Sequence, residues 1–347
     1  MLNDLFSKVD AILIAGESNR FYFTKLRTSF GYAVLLPNAK FFFTDFRYAI
    51  AARQKLSDFE IVITDGANVF SDIAALLAKK GVKTIGYEDD YFSVSGFKAM
   101  KKALGGFDFK ALGAEINALR IIKTPEEIDR VKRAQALTEA ALTKTLSFLK
   151  TGVTEREISA ELTYNFLMMG ADGLAFDNIV SFGENSADCH HAAGDRKLEK
   201  GDIVLFDVGA KLVGYCSDMT RTFFFGDPTQ KFTDLYQLVL DAQNYVLRFL
   251  KEGVTGKEAD SMAREYFKAN GYDKEFGHSL GHGVGIDIHE EPRLSRTNEE
   301  PLPSNCIVTV EPGLYIEGFG GVRIEDMVVI KKDGIENLTN YSKNFII

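Results

Sequence analysis

The sequence is poor in cysteine and has no long apolar run. Its three cysteines, Cys189, Cys216 and Cys306, form no Cys-x-x-Cys pair and are odd in number, which argues against a disulfide framework and suits a reducing cytosol. No apolar run reaches the roughly 20 residues that span a bilayer. The first residues also lack the basic and apolar segments of a signal peptide. These absences predict a cytoplasmic protein that does not cross a membrane.

Basic charge is also scarce. The 347 residues include 41 Lys and Arg against 49 Asp and Glu, a formal net charge of −8 at pH 7. A surface that binds nucleic acid or an anionic membrane needs a basic patch, and the basic stretch at 130–133 is short and lies among acids. We therefore expect neither kind of partner. A hydrophobic content of 46% and this length are ordinary for a globular protein of two domains.

The first third of the chain alternates short apolar runs with helical segments. The pattern predicts strands at 11–14, 31–36, 40–44, 59–63 and 84–87, and helices at 47–56 and 70–80. This alternation is typical of an α/β domain. Thr124-Pro-Glu-Glu127 predicts the start of a long helix, with Thr as N-cap and Pro at the first helical position, that runs to about residue 149. We place the domain boundary just before it, dividing 1–118 from 119–347.

The second part of the chain contains an internal repeat. Residues 148–157 match residues 249–258 at an offset of 101, and each copy predicts a helix, a Gly-Val-Thr turn and a second helix. Thr154 and Thr255 are the expected N-caps of the second helices. The strands repeat as well, since 203–209 resembles 307–313. Two half-domains related by a pseudo-twofold axis would bring the carboxylates of both copies together at that axis.

Four carboxylates take equivalent places in the two copies. Asp207 corresponds to Glu311, and Asp218 lies opposite Glu325. Buried together, four acids would repel one another unless a cation neutralised them or each found its own salt bridge to arginine. All five histidines fall between 190 and 289, and His282 lies among glycines that let the backbone approach a ligand closely. One imidazole with four carboxylates favours Mn²⁺, Co²⁺ or Fe²⁺, with Zn²⁺ also possible, and bridging carboxylates favour a pair of ions.

These motifs resemble those of the metallopeptidase family of prolidase (Xaa-Pro dipeptidase), aminopeptidase P and methionine aminopeptidase, over nearly the whole chain. The matching segments are Thr44-Asp-Phe-Arg-Tyr48, Asp207-x₁₀-Asp218-Met-Thr-Arg-Thr222, His278-Ser-Leu-Gly-His282, Glu311-Pro-Gly313 and Val322-Arg-Ile-Glu325-Asp326. The resemblance implies an α+β fold, in which a creatinase/prolidase-like N-terminal α/β domain precedes a pita-bread catalytic domain with internal pseudo-twofold symmetry. Methionine aminopeptidase fits less well, because its single-domain bacterial form lacks a counterpart of residues 1–115.

The resemblance also implies roles for individual residues. The implied metal ligands of a two-ion centre are Asp207, Asp218, His282, Glu311 and Glu325, with Asp218 and Glu325 bridging both ions. The implied catalytic residues are His190, His289 and Glu311, with Glu311 as proton shuttle, and the implied substrate-binding or supporting residues are His278, Arg293 and Arg323. Relatives commonly have Pro before the first catalytic histidine, whereas this chain has Asp188-Cys189-His190-His191. His191 therefore stays an alternative to His190.

The activity implied by the resemblance is hydrolysis of the peptide bond before proline. We expect an Xaa-Pro dipeptidase with Arg293 holding the free carboxylate of proline, because arginine suits that bidentate task. A surface ion pair of Arg293 with Glu290 or Glu291, and aminopeptidase P activity on longer peptides, are the alternatives. A relative that binds peptides without turnover is disfavoured because all five ligand positions are present. The family also implies a homodimer, with 19–32 as a candidate closing loop.

Overall fold

A six-stranded sheet forms the centre of the first unit, residues up to Arg120, in the computed structural model, which describes residues 2–347. The strands are β1 (Ala11–Ile14), β2 (Tyr32–Leu36), β3 (Ala39–Thr44), β4 (Glu60–Ile63), β5 (Thr84–Tyr87) and β6 (Asp108–Ala111). Their order in the sheet is β4-β3-β2-β1-β5-β6. The helices of this unit are α1 (Leu2–Phe6), α2 (Glu17–Thr24), α3 (Phe46–Lys55), α4 (Val69–Lys79), α5 (Val94–Ala103) and α6 (Gly113–Ala118).

Both faces of this sheet are covered, which explains its continuous apolar strands. In β1, Ile12 and Ile14 pack into one hydrophobic cluster while Ala11 and Leu13 pack into another. Because successive side chains of a strand point to opposite faces, a strand that is buried on both sides carries no polar alternation. The five predicted strands and two predicted helices of this unit are confirmed to within one residue at either end.

The prediction of a loop at 19–32 is wrong over its first part. Helix α2 continues to Thr24, and Asn19 and Arg20 are buried in it. The start of this helix has no side-chain cap; instead the distant carboxylate of Glu88 accepts hydrogen bonds from the backbone N–H groups of Ala15 and Gly16. A helix whose start is fixed by a residue some seventy positions away leaves no local signal in the sequence.

The second unit, from Ile121 onward, contains two helix pairs and thirteen strands among the described residues. The helices are α7 (Pro125–Leu146), α8 (Glu155–Met168), α9 (Gln230–Phe249) and α10 (Gly256–Ala269). The strands are β7 (Gly173–Leu174), β8 (Ile179–Phe182), β9 (Ile203–Val208), β10 (Ala210–Leu212), β11 (Tyr215–Cys216), β12 (Met219–Phe224), β13 (Gly281–Gly283), β14 (Glu290–Leu294), β15 (Ile307–Val310), β16 (Gly313–Ile316), β17 (Gly320–Arg323), β18 (Asp326–Lys331) and β19 (Gly334–Asn337). The sheets run in the orders β11-β10-β7, β12-β9-β8, β14-β13-β15-β18-β19 and β16-β17.

The predicted repeat is present as a repeated structure. Thr154 and Thr255 each cap a helix through a complete capping box, with Glu157 and Glu258 as the returning side chains. The two turns are also tied down in the same way, because the N–H of Gly152 donates to Leu198 and the N–H of Gly253 donates to Leu302. Within residues 2–347, none of the helices combines the length and the apolar character that crossing a membrane requires.

Candidate metal centre and active site

One cavity of about 470 Å³ in the second unit brings together every site residue that the sequence predicts. Its lining includes Asp207, Asp218, His282, Glu311, Glu325, His190, His289, His278, Arg293 and Arg323. Apolar walls are added by Phe176, Ile179 and Ile288. A cavity of this size, largely apolar with a few convergent polar groups, is typical of a site for a small ligand.

The four acids converge because they lie at equivalent strands of the two halves. Asp207 lies on β9 and pairs across the sheet with Thr220 on β12, just beyond Asp218. Glu311 directly follows β15, whose last residue pairs with Asp326 on β18, just beyond Glu325. Each half therefore contributes one carboxylate at the end of a first strand and one directly before its antiparallel partner.

The ligand atoms of Asp218, His282 and Glu325 lie within 4.8 Å of one another. The Nε2 atom of His282 lies 3.5 Å from Oδ2 of Asp218 and also 3.5 Å from Oε1 of Glu311. These separations exceed a good hydrogen bond. The atoms lie close together without a good hydrogen bond between them, as the ligands of an ion do.

The orientation of His282 is fixed by its backbone. Its Nδ1–H donates to the carbonyl oxygen of Gly283 at 3.1 Å, and its backbone N–H donates to the hydroxyl of Thr309 at 3.0 Å. Burial lowers the pKa of His282 to about 3. The imidazole is therefore neutral, with the lone pair of Nε2 directed toward the acids, which is the form that binds a metal.

Three of the carboxyl groups have raised pKa values. Burial raises the pKa of Glu311 to about 8. Burial, and then the charge of the neighbouring acids, raises the pKa of both Asp218 and Glu325 well above the ordinary range. Buried acids that crowd one another in this way can ionise together only when a cation is present.

The donor set fits a divalent cation. Among the residues that the structure describes, Oδ1 of Asp207 is buried and has no hydrogen-bond partner. Since buried carboxylate oxygens are rarely left unpaired, this oxygen is suited to binding a cation. The neutral imidazole of His282 and three carboxylates with raised pKa values complete an oxygen-rich site of the kind that divalent ions prefer.

Three residues that support the acids were not predicted. The hydroxyl of Thr220 donates to Glu325 at 2.8 Å, and the hydroxyl of Thr309 donates to Glu311 at 3.1 Å. Each threonine lies two residues from a predicted ligand that directly precedes or follows its strand, so the period-2 alternation of an extended chain was a signal that could have found both. Tyr315, the third, approaches through a separate hairpin and carried no such signal.

Tyr315 belongs to a chain of hydrogen bonds beside the acids. Arg323 is 2% exposed and donates to Oδ2 of Asp207 at 2.7 Å and to the hydroxyl of Tyr315 at 2.6 Å. That hydroxyl lies 2.8 Å from Nε2 of His278, whose Nδ1–H donates to the carbonyl oxygen of Ser279 at 2.8 Å. Both ring nitrogens of His278 are thus used within the protein. For Arg323 and His278 this arrangement favours the supporting role over direct contact with substrate.

The two candidate histidines of the 188–191 segment differ in their surroundings. Both histidines line the cavity. Nε2 of His191 donates to Oε2 of Glu155 at 2.7 Å, whereas His190 is exposed to the cavity that His289 and Cys189 also line. The ring of His289 stands edge-on to that of His282, with centroids 4.4 Å apart. This geometry favours His190 as the catalytic member of the pair.

Arg293 lines the cavity and is only loosely held. Its Nε lies 4.0 Å from Oε1 of Glu291, and both side chains are substantially exposed. Glu290, the other acid that the sequence offered as a partner, is instead paired with Lys123 at 3.0 Å. A weak surface pair of this kind contributes little, so the guanidinium is available to a ligand in the cavity.

A duplicated half that directs four carboxylates and an imidazole into one cavity defines a hydrolytic enzyme of the pita-bread class, in line with the fold predicted from the sequence. The model of metallopeptidase family M24 matches residues 129–332, and that of the creatinase/prolidase N-terminal domain matches residues 7–122. This chain belongs to metallopeptidase family M24.

Similar proteins extend over the whole chain. An Xaa-Pro dipeptidase of Pyrococcus furiosus is 36% identical over 344 residues, which cover 98% of this chain and 96% of the relative. The solved structure of an Xaa-Pro dipeptidase from Bacillus anthracis is 38% identical with a TM-score of 0.96, and covers 100% of this chain and 98% of its own. An X-Pro aminopeptidase from Thermotoga maritima is 37% identical with a TM-score of 0.95, and both chains are covered fully.

Proposed function

We propose that this peptidase is an Xaa-Pro dipeptidase that depends on two divalent metal ions. The observation that carries the proposal is the convergence of buried, proton-binding carboxylates on the neutral imidazole of His282. The Xaa-Pro dipeptidases of Pyrococcus furiosus and Bacillus anthracis support the substrate class. The homodimer and the cytoplasmic location stay predictions of the sequence.

The residues proposed to hold the ions are Asp207, Asp218, His282, Glu311 and Glu325. Carboxylates dominate this set, so Mn²⁺ is the expected metal, with Co²⁺, Fe²⁺ or Zn²⁺ as alternatives. When bound, divalent ions at these residues would lower the pKa of a water molecule and so would supply a nucleophile at neutral pH. Thr220 and Thr309 hold Glu325 and Glu311 in place through their hydroxyl groups.

The remaining side chains bind the peptide and move its protons. His190 and His289 line the cavity and donate N–H groups to the carbonyl oxygen as negative charge develops on it. Glu311, steadied by Thr309, accepts a proton from the attacking water and passes it to the departing proline nitrogen. The proline ring packs on the apolar walls at Phe176 and Ile288.

Arg293 is the proposed determinant of peptide length. In a dipeptide the carboxylate of proline is free, and a guanidinium at the cavity wall can bind it with two parallel hydrogen bonds. A longer peptide carries a neutral amide at that place and gains nothing from the arginine. An aminopeptidase, the activity named for the Thermotoga maritima relative, would therefore not depend on Arg293.

Comparison of Ala-Pro with Ala-Pro-Ala tests this proposal. We expect kcat/KM to be at least about tenfold higher for the dipeptide, because a charge-assisted hydrogen bond contributes roughly 1.5–3 kcal/mol. The substitution Arg293→Met is expected to raise KM for Ala-Pro by about 10–100-fold on the same basis and to leave the tripeptide unchanged. Steady-state kinetics with both peptides checks both expectations.

The matched control is Arg296→Met, because Arg296 is exposed on the same segment and does not line the cavity. It should leave both peptides unaffected. A wild-type preference for the tripeptide, together with equal KM values for Ala-Pro before and after Arg293→Met, would establish the aminopeptidase instead.

A further inference from the structure

One buried carboxylate forms hydrogen bonds with both ends of the loop at 182–194, which carries His190. Glu155 is the first residue of α8, and 0% of its surface is exposed. Its Oε1 accepts hydrogen bonds from the backbone N–H of Phe182 at 2.8 Å and from the side-chain amide of Asn185 at 2.9 Å. These contacts fix the beginning of the loop, where β8 ends.

The other oxygen of the same carboxylate fixes the end of the loop. Oε2 of Glu155 accepts from Nε2 of His191 at 2.7 Å and from the backbone N–H of Gly194 at 3.0 Å. Between these two ends of the loop, the side chain of Asp188 accepts a hydrogen bond from the backbone N–H of His190 at 3.1 Å. The backbone carbonyl oxygen of Asp188 accepts one from the backbone N–H of His191, also at 3.1 Å. Both histidines line the cavity, but Nε2 of His191 is engaged by Glu155, so the adjacent side chain of His190 is the one available to a ligand.

The repeated half shows that the helix itself does not need this carboxylate. The position equivalent to Glu155, at the offset of 101, is Gly256, which begins α10 behind a capping box of the same kind. A buried carboxylate is costly unless its hydrogen bonds are satisfied, and the four made by Glu155 all go to 182–194. Its contribution is therefore to the loop and not to the start of the helix.

Position 256 also supports a segment of the cavity wall, in a different way. A Cβ added to Gly256 would lie 2.1 Å from the carbonyl oxygen of Arg293, so the missing side chain allows β14 to pack directly on the start of α10. The two equivalent helix starts have thus diverged. One holds the segment of His190 with a carboxylate, and the other admits the backbone of Arg293.

We propose that Glu155 is a positioning residue that aims His190 into the active site, acting through His191 and the two ends of the loop. This inference rests on the proposed function, in which His190 donates to the substrate carbonyl. A displacement of about 1 Å at a reacting group can lower a rate by about a hundredfold. The hydrogen-bonding carboxylate is therefore expected to affect the rate of turnover more than substrate binding.

A double-mutant cycle tests the proposal in the metal-loaded protein with Ala-Pro as substrate. Glu155→Gln keeps the size of the side chain but places an amide against N–H donors. We expect it to lower kcat by about 10–100-fold, with little change in KM or in metal content. In a His190→Ala background the same substitution should have no further effect, because the group it positions is absent.

Three further variants separate positioning from general destabilisation. Thr154→Ala removes the cap of the same helix one residue away and should lower thermal stability without lowering kcat. If Glu155→Gln does not fold, His191→Ala takes its place in the cycle. The His191 side chain is 18% exposed and that of Glu155 is fully buried, so replacing His191 should disturb folding less. His191→Gln should then restore most of the loss, because its amide can donate to the same carboxylate oxygen.

The outcomes are distinct. Losses that multiply in the double mutant overturn the role of Glu155, and full activity in His190→Ala overturns the roles of both residues. A crystal structure of Glu155→Gln provides a readout that needs no activity and is independent of the proposed function. We expect His190 to be displaced from the cavity in it; an unmoved loop at 182–194 would contradict the proposal.

Discussion

Replacing Glu325 with alanine is expected to lower kcat/KM for Ala-Pro by about 10³-fold or more, since ion-assisted catalysis supplies several kcal/mol and each 1.36 kcal/mol is tenfold in rate. Glu325 is 1% exposed, lies beside Asp218 and His282, and is held by the hydroxyl of Thr220. Loss of one of the proposed ligands should also reduce the bound divalent metal to fewer than two per chain. Steady-state kinetics and elemental analysis of the same sample measure both effects.

The control for Glu325→Ala is Asp333→Ala, in the exposed turn between β18 and β19. It removes an acid from the same region of the chain but from outside the cavity, so activity and metal content should be unchanged. If Glu325→Ala retained full activity and two ions per chain, the assignment of the metal centre would be wrong.

The stability of the metal-free protein is expected to fall as the pH rises from about 5 to 8. Burial raises the pKa of Glu311 from its ordinary 4.5 to about 8, and it raises the pKa values of Asp218 and Glu325 well above their ordinary range. Over this range the folded protein binds more protons than the unfolded chain, so the free energy of unfolding decreases with pH. The stabilisation is complete below pH 4.5 and is lost as the pH passes 8.

We expect a loss of about 2–4 kcal/mol after local relaxation, which corresponds to a Tm lower by roughly 5–10 °C for a domain of this size. Divalent metal should remove this trend, because it pairs with the ionised carboxylates, so the rise in Tm caused by Mn²⁺ should be larger at pH 8 than at pH 5.5. Scanning calorimetry of chelated and metal-loaded samples at both pH values measures these differences. An equal rise in Tm at the two values would contradict the electrostatic account.

Local signals explain how much of the fold could be predicted from the sequence. The apolar run of β1, the proline and threonine at the start of α7 and the two Gly-Val-Thr turns each determine structure through neighbours in the chain. Helix α2 was missed because Glu88 fixes its start from the end of β5. Such a contact exists only after the sheet has formed, so no local pattern records it.

The candidate site could be predicted where its chemistry requires particular residue types. Four acids at equivalent places in a repeat, and histidines among glycines, are unusual enough to be noticed. Residues that act on other residues were harder to find. Tyr315 was missed because its hydroxyl contacts Arg323 across the β16–β17 hairpin and His278 in a distant segment, and neither contact leaves a local pattern in the sequence. Glu155 was missed because a carboxylate in the first turn of a helix is ordinary in sequence.

The orientation of the two neighbouring histidines shows what the sequence alone could not settle. His190 and His191 are chemically identical, and the departure from the family pattern at Cys189 removes the usual reference point. Their difference follows from a tertiary contact, the hydrogen bond between His191 and Glu155. The roles of two neighbouring identical residues are thus determined by the residues they contact and not by their positions in the chain.

Titration of the chelated protein with Mn²⁺, with hydrolysis of Ala-Pro and bound metal measured in parallel, tests the central claim most directly. The account predicts almost no hydrolysis without metal and an activity that rises to a plateau at two ions per chain. The two ions should bind with unequal affinity, because His282 has no histidine counterpart in the first half. Full activity in protein freed of metal, or two bound ions without cleavage of Ala-Pro, would contradict it.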